Sequence, residues 1–283
     1  MTKKFKTVLV SLLVGASVMA FAGCGSSSSD SASTDSSAAI SGEINGGGST
    51  SVQHIIDAAG SEFSALNPDV TFTYSGTGSS DGIKGATEGT YSFGCASRDL
   101  KAEEESDNLK TIEFAYDGIA VVVNPANTVA GLTSEQITSI YKGEITNWSE
   151  VGGADAPIVV VSREDGSGTR SAFEELMGFE NELKADATVK EGNGNVQTTV
   201  AGNENAIGYV SLTYVDSTIK AVTVDGVEAT VENVKSKAYP VSRPFLAMYL
   251  EDSVDDATMA FLDFLMSDDG QKIVEEQGAI SVN

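Results

Sequence analysis

The chain has 283 residues, of which 41% are apolar, so it can hold one large or two medium domains with real hydrophobic cores. Its 41 acidic residues outnumber 17 basic ones and give a formal charge of −24, which argues against nucleic acid and anionic membrane surfaces as partners. A small anion is not excluded, because screening acts over about 8 Å at physiological salt and distant carboxylates matter little inside a closed cleft.

Lys3, Lys4 and Lys6 precede an apolar run from Thr7 to Ala22. Residues 1–23 therefore read as an export signal, too short and wrongly flanked for a membrane span. Phe21-Ala22-Gly23-Cys24 resembles the lipobox of bacterial lipoproteins, which implies that Cys24 carries lipid as the first residue of the mature chain. Removing the three lysines would take the formal charge to −27. Residues 24–41, mostly Ser, Ala, Asp, Gly and Thr, cannot bury apolar surface and are expected to form a flexible tether. With Cys24 lipidated, Cys95 has no partner for a disulfide, and within Tyr91 to Ala96 it reads as a buried small hydrophobe.

Beyond the tether, strand-like runs alternate with helical patterns. Strands are expected at Glu43 to Gly46, Val70 to Tyr74, Tyr91 to Ala96, Thr111 to Asn124, Pro157 to Ser162, Ala206 to Ser211 and Tyr239 to Leu250. Helices are expected at Ser51 to Leu66, Asp81 to Glu88, Glu103 to Leu109, Ser134 to Lys142, Gly168 to Met177, Val196 to Ala201, Ala257 to Met266 and Gly270 to Gln277. The alternation argues an α/β architecture with mostly parallel sheets. The apolar runs Phe114 to Val123 and Tyr239 to Leu246 are candidates for two chain crossings between lobes. One lobe would then hold residues 42–115 plus 245–283, and the other 116–244.

Three stretches share one pattern of strand, Gly/Ser/Thr turn and helix start. They are Asn45 to Ser51, Tyr74 to Gly82 and Val161 to Arg170. A helix start leaves backbone N–H groups unpaired and carries the positive end of the dipole, so Ser167, Gly168 and Thr169 would present amides and hydroxyls to an anion. Arg163 adds a planar fork of donors for a phosphate or carboxylate, with Asp165 near enough to hold it. One such turn alone is an ordinary cap. Three in one chain, placed on opposing lobes, read as convergent donors facing a cleft.

Enzyme readings fit less well. The only histidine, His54, lies beside Ile55 and Ile56 in the first helical pattern and reads as structural. Gly166-Ser167-Gly168 has the wrong spacing for a nucleophile elbow, and the turns lack the Gly-Lys-Ser/Thr of a P-loop. No metal-ligand spacing is found, and no cofactor is expected. Trp148, the only tryptophan, reads as packing.

The Gly-x-Gly-x-Thr run at Gly46 to Thr50, the Gly-Ser-Ser turn at Gly78 to Ser80 and the Arg-x-Asp-Gly-Ser-Gly-Thr run at Arg163 to Thr169 together resemble the substrate-binding lipoproteins of bacterial phosphate ABC importers. The likeness extends from the lipobox to the final helical pattern, and the Arg163 run is its most specific part. The resemblance implies a two-lobed, hinged fold of the Venus-flytrap type, each lobe a mixed sheet flanked by helices. It implies phosphate held by Thr50, Ser51, Ser79, Arg163, Ser167, Gly168 and Thr169, with Asp165 orienting Arg163. Members of this family carry Ser-Asp after a strand like Phe93 to Ala96, that Asp accepting the ligand's proton; here Ser97 is followed by Arg98. Asp117 is the expected replacement acceptor, ahead of Asp99, and Arg98 is expected as a second cation on the ligand, an ordinary salt bridge being the alternative. The implied partners are inorganic phosphate and transmembrane permease subunits. The protein is expected to be a monomer held at the outer face of the cell membrane by its lipid alone. The same fold holding sulfate, molybdate or a phosphonate is the nearest alternative, and a surface phosphatase a more distant one.

Overall fold

The computed structural model describes residues 39–283. The export signal, Cys24 and the tether as far as residue 38 lie outside the described residues.

The chain opens with β1 (Gly42–Gly48), α1 (Gln53–Leu66), β2 (Val70–Gly76), α2 (Ser79–Thr87) and β3 (Phe93–Ala96). The long strand β4 (Leu109–Val123) leads into β5 (Gly131–Leu132), α3 (Ser134–Lys142), β6 (Val159–Arg163), α4 (Gly168–Met177), β7 (Thr188–Lys190), α5 (Gly192–Ala201) and β8 (Ala206–Ser211). Then come β9 (Lys220–Ala221), β10 (Thr223–Val224), α6 (Val231–Lys235) and the return strand β11 (Ser242–Leu250), followed by α7 (Asp256–Met266), α8 (Asp268–Glu276) and β12 (Ile280–Ser281).

The helices form where the sequence offers one apolar face and a defined stop. In α1, Ile55, Ile56, Ala59 and Phe63 are buried at helical spacing. Thr133 and Gln136 close a capping box at the start of α3, and Gly143 at φ 81° ends that helix in the left-handed region. Among the described residues no helix is long and apolar enough to cross a membrane.

Ten strands form one sheet, eight of them in the order β2-β1-β3-β11-β4-β8-β6-β7, with β9 and β12 off this path and paired to β4. β1 is parallel to β2 and β3, and β6 is parallel to β7 and β8, as βαβ connections require. β4 is antiparallel to β11 and β8, and β11 to β3. The sheet is therefore mixed rather than mostly parallel, because the two strands at its centre run in opposite directions. Asp117 and Arg243 are register partners there, and Ile119 N–H donates to Val241 O at 2.8 Å.

Two large hydrophobic cores flank this centre. One gathers Ile44, Ile55, Phe93, Phe114, Phe245 and Phe261; the other gathers Ile119, Val121, Ile140, Phe173 and Tyr209. Along β4, Ile119, Val121 and Val123 enter the second core, while Ala120 and Val122 pack with Val196 and Val200 of α5 on the opposite face. Burial on both faces explains why this strand reads as an unbroken apolar run.

One expected helix is absent. Residues from Glu103 to Asn108 form turns, and Leu109 already belongs to β4. The Glu104 carboxylate folds back to accept Lys101 N–H at 2.9 Å and two bonds from Arg98. That local pairing outcompetes a helix whose first turn would crowd three carboxylates. In the first core the Phe261 ring lies 4.6 Å from Phe72, 5.3 Å from Phe93 and 5.7 Å from Phe63. Phe261→Ala should therefore cost about 3 to 5 kcal/mol in urea unfolding.

Candidate functional site

The end of β6 is pinned from behind. Phe173 stacks on Tyr209 with ring centroids 4.1 Å apart, and the Tyr209 hydroxyl accepts from Arg163 N–H at 3.2 Å and pairs with Ser162 Oγ at 2.8 Å. The Arg163 side chain is 1% exposed. Its Nε and Nη2 donate to the two Glu164 carboxylate oxygens at 2.8 Å each, and Nη2 also donates to Thr50 Oγ1 at 3.0 Å. Nη1 is buried and has no hydrogen-bond partner. Burial pushes the Glu164 carboxyl up, but the hydrogen bonds and charge of Arg163, with the Gly192 amide, outweigh it and hold Glu164 below the ordinary carboxylate range.

Helix starts from both sides of the sheet centre meet one another beside Thr50, which the guanidinium reaches. Gly166, at φ 83°, turns the chain after β6, and its carbonyl accepts from Ser80 N–H at 3.1 Å. Ser167 then caps α4 by accepting from Arg170 N–H at 3.2 Å, so its own hydrogen is free to donate. The amides of Gly168 and Thr169 open the first turn and have no intrahelical acceptor. Thr169 Oγ1 lies 2.9 Å from Ser51 Oγ, just before α1. Ser79 opens α2 and accepts from Ser97 N–H at 3.0 Å. Gly168 is a point of close approach between the two sides, since a Cβ there would stand 2.2 Å from Ser79 Oγ.

Residues 33–269 match a family model described as a PBP superfamily domain. The Bacillus subtilis phosphate-binding protein PstS is 34% identical over 99% of this chain and 95% of its own length. The PstS of Borreliella burgdorferi is 32% identical over 83% of this chain and 88% of its own. This chain belongs to the PBP superfamily and, within it, to the PstS family. A solved structure from Clostridium perfringens, described as a phosphate ABC transporter substrate-binding protein with bound phosphate, is 51% identical. It superposes with a TM-score of 0.84 over 86% of this chain and 100% of that one.

In this PstS-family protein, Thr50, Ser51, Ser79, Arg163, Ser167, Gly168 and Thr169 are brought together as described. Three other expectations are corrected. Asp165 does not orient Arg163: its carboxylate is exposed and binds Arg170 Nη1 at 2.7 Å, while Glu164 holds Arg163. The two neighbouring carboxylates thus pair with different arginines. Arg98 is the salt-bridged alternative rather than a cation on the ligand. Its Nη1 and Nη2 donate to Glu104 at 2.6 and 2.8 Å, and further to Asp99 O and Ser80 Oγ. Asp117 has no capacity left for a ligand proton. Oδ2 accepts from Arg243 Nε and Nη2 at 3.2 and 2.9 Å, and Oδ1 accepts from Ser211 Oγ at 2.9 Å and Leu212 N–H at 3.2 Å. Burial pushes Asp117 up against the opposing pull of Arg243, and the same burial pushes Arg243 down. The four donors on this carboxylate favour the ionised pair. Asp99 is exposed.

Four residues of the site escape the sequence reading: Glu164, Asn193, Ser97 and Arg243. Asn193 sits in Gly192-Asn193-Gly194-Asn195 at the start of α5, a fourth Gly-rich helix start. That signal was available, but the strand before it spans only Thr188–Lys190. His54 packs edge-to-face on Tyr214 at 5.3 Å, with Nε2 3.3 Å from Gln277 O, and its burial lowers its pKa. Trp148 is buried and donates to Asn205 O at 3.0 Å. Cys95 is buried, and that burial pushes its thiol up to about 12. Among the described residues no group of three or more His, Cys, Asp or Glu could hold a metal ion.

Glu164 contributes stability that is present above about pH 4.3, the ordinary glutamate value, and lost as pH falls through its lowered folded value. Urea titrations between about pH 3 and pH 5 should show this loss in the native protein and not in Glu164→Gln. Gly168→Ala should hold the two sides apart and weaken anion binding by about 10- to 100-fold, read by titration with small-angle scattering to follow closure.

Proposed function

We propose that the protein captures inorganic phosphate on the outer side of the cell membrane, tethered through lipid on Cys24, and delivers it as a monomer to the permease subunits of an ABC importer. The observation that carries this reading is the unpartnered Nη1 of Arg163, buried where helix starts converge. An unsatisfied buried donor costs about 1 to 3 kcal/mol, and a charged one more. A tetrahedral oxyanion removes that cost and takes further donors from Thr50, Ser79, Ser167, Gly168 and Thr169, with Ser51 acting from behind through its contact with Thr169. Each hydrogen bond to a charged group contributes roughly 1.5 to 3 kcal/mol, so it takes about six such donors to reach micromolar affinity, near −8 kcal/mol, against an association cost of about 4 kcal/mol or more. The likeness to PstS proteins, and to a solved relative described with bound phosphate, selects phosphate among oxyanions.

Binding rather than hydrolysis fits the side chains present. The only histidine is engaged with Tyr214 and Gln277 rather than with a nucleophile. The donors around Arg163 would hold an anion without supplying a base to activate water.

Calorimetric titration of the purified protein should give one saturable site for phosphate and for arsenate, with a weak response to sulfate. Absence of a phosphate signal would overturn the reading. Arg163→Met should weaken phosphate binding at least about 100-fold, because it removes two or more charge-assisted bonds.

A further inference from the structure

Ser51 Oγ is the meeting point of three polar groups. Asn193 Nδ2 lies 3.0 Å away, Arg243 Nη2 3.1 Å and Thr169 Oγ1 2.9 Å. All four side chains are buried or nearly so. Guanidinium nitrogens only donate. The amide of Asn193 is fixed in one orientation, because its Oδ1 accepts from Ser211 N–H at 3.1 Å, and a backbone N–H can only donate. Its Nδ2 is therefore left to donate to Ser51.

A hydroxyl oxygen offers two acceptor positions and one hydrogen. Asn193 and Arg243 fill both acceptor positions of Ser51. Thr169 consequently cannot donate to Ser51, so the hydrogen of the Ser51–Thr169 contact must come from Ser51. The Thr169 hydrogen is then left without an acceptor among the described residues, free to be given to an anion. Arg243 is itself immobilised by Asp117 and by Ser97 O, which its Nη1 reaches at 2.9 Å.

We infer that Asn193, backed by Arg243, is a positioning residue that sets the direction of the Ser51–Thr169 hydroxyl pair, so that this corner presents donors and recognises an unprotonated anion oxygen. The inference rests on the phosphate reading above and deepens it by assigning a specificity role to α5, whose first turn supplies Asn193.

A double-mutant cycle read by phosphate calorimetry tests it. Asn193→Asp keeps side-chain size and the acceptor for Ser211 but turns the donor facing Ser51 into an acceptor, which draws the Ser51 hydrogen away from Thr169. The expected loss of affinity is about 100-fold in the native background and about tenfold or less in Ser51→Ala, where no hydroxyl remains to reverse. An equal loss in both backgrounds would mean that charge repulsion acts alone, and overturns the inference. Asn193→Ala repeats the cycle with no new charge, should the buried aspartate prevent folding. It is expected to cost about tenfold with Ser51 present and less than about twofold without it, and equal losses again overturn the inference. If the native protein fails to bind phosphate, the reading of function fails instead.

Discussion

Burying a guanidinium is the constraint on which the site depends. Taking a cation out of water costs several kcal/mol even after relaxation, and the cost is met only where geometry satisfies the donors. For Arg163, three bonds to Glu164 and Thr50 satisfy Nε and Nη2 and leave Nη1 open. The partial satisfaction is directional: Glu164 neutralises one edge of the fork, and the other edge is left without an acceptor. The surface charge of the molecule plays little part, because the acceptor chemistry is decided within a few ångströms, inside the screening distance.

The same bonds that shape the site also join its two sides. Arg163 reaches Thr50, Thr169 meets Ser51, Ser80 N–H reaches Gly166 O, and the Tyr214 hydroxyl donates to Thr50 O at 3.0 Å. Opening the cleft would break these contacts and expose the helix starts to water. An anion that bridges those helix starts adds bonds only in the closed arrangement, so its differential affinity shifts the population toward closure. At the centre of the sheet the Arg243–Asp117 pair links β4 to β11 and, through Ser51, reaches the hydroxyls at the starts of α1 and α4 as well. The strands that carry the chain across and the hydroxyls that line the cleft are thus mechanically one unit.

Much of this was legible because it is local. Apolar periodicity marked α1, α3 and α4, and Gly, Ser and Thr at the ends of strands marked three of the four helix starts. The unreadable parts depend on contacts distant in sequence. Nothing near Asp117 announces Arg243, 126 positions away, or that Ser211 would fill its other oxygen. Likewise Arg98 and Glu104 are six residues apart, and their pairing dissolves a helix that local pattern favoured. Glu164 and Asp165 are adjacent carboxylates beside two arginines, and nothing local in the sequence tells which pairs with which. Short strands such as β5, β7 and β12 carry too few residues to show any period, which hid the start of α5 and Asn193 with it.

Asp117 illustrates how a buried charge can act through its neighbours, its carboxylate being fully occupied by Arg243, Ser211 and Leu212. A free carboxylate beside the anion would repel it strongly at low effective dielectric, whereas one bound to Arg243 and two further donors presents little net charge. Its influence is passed on as orientation: it fixes Arg243, Arg243 with Asn193 fills the lone pairs of Ser51, and the hydroxyls beyond are left with hydrogens to give. Selectivity then arises from the direction of hydrogen bonds rather than from the sign of a nearby charge. That arrangement tolerates the large negative surplus of the whole chain, because donors aimed by their neighbours keep their preference for a bare oxygen whatever the far surface carries.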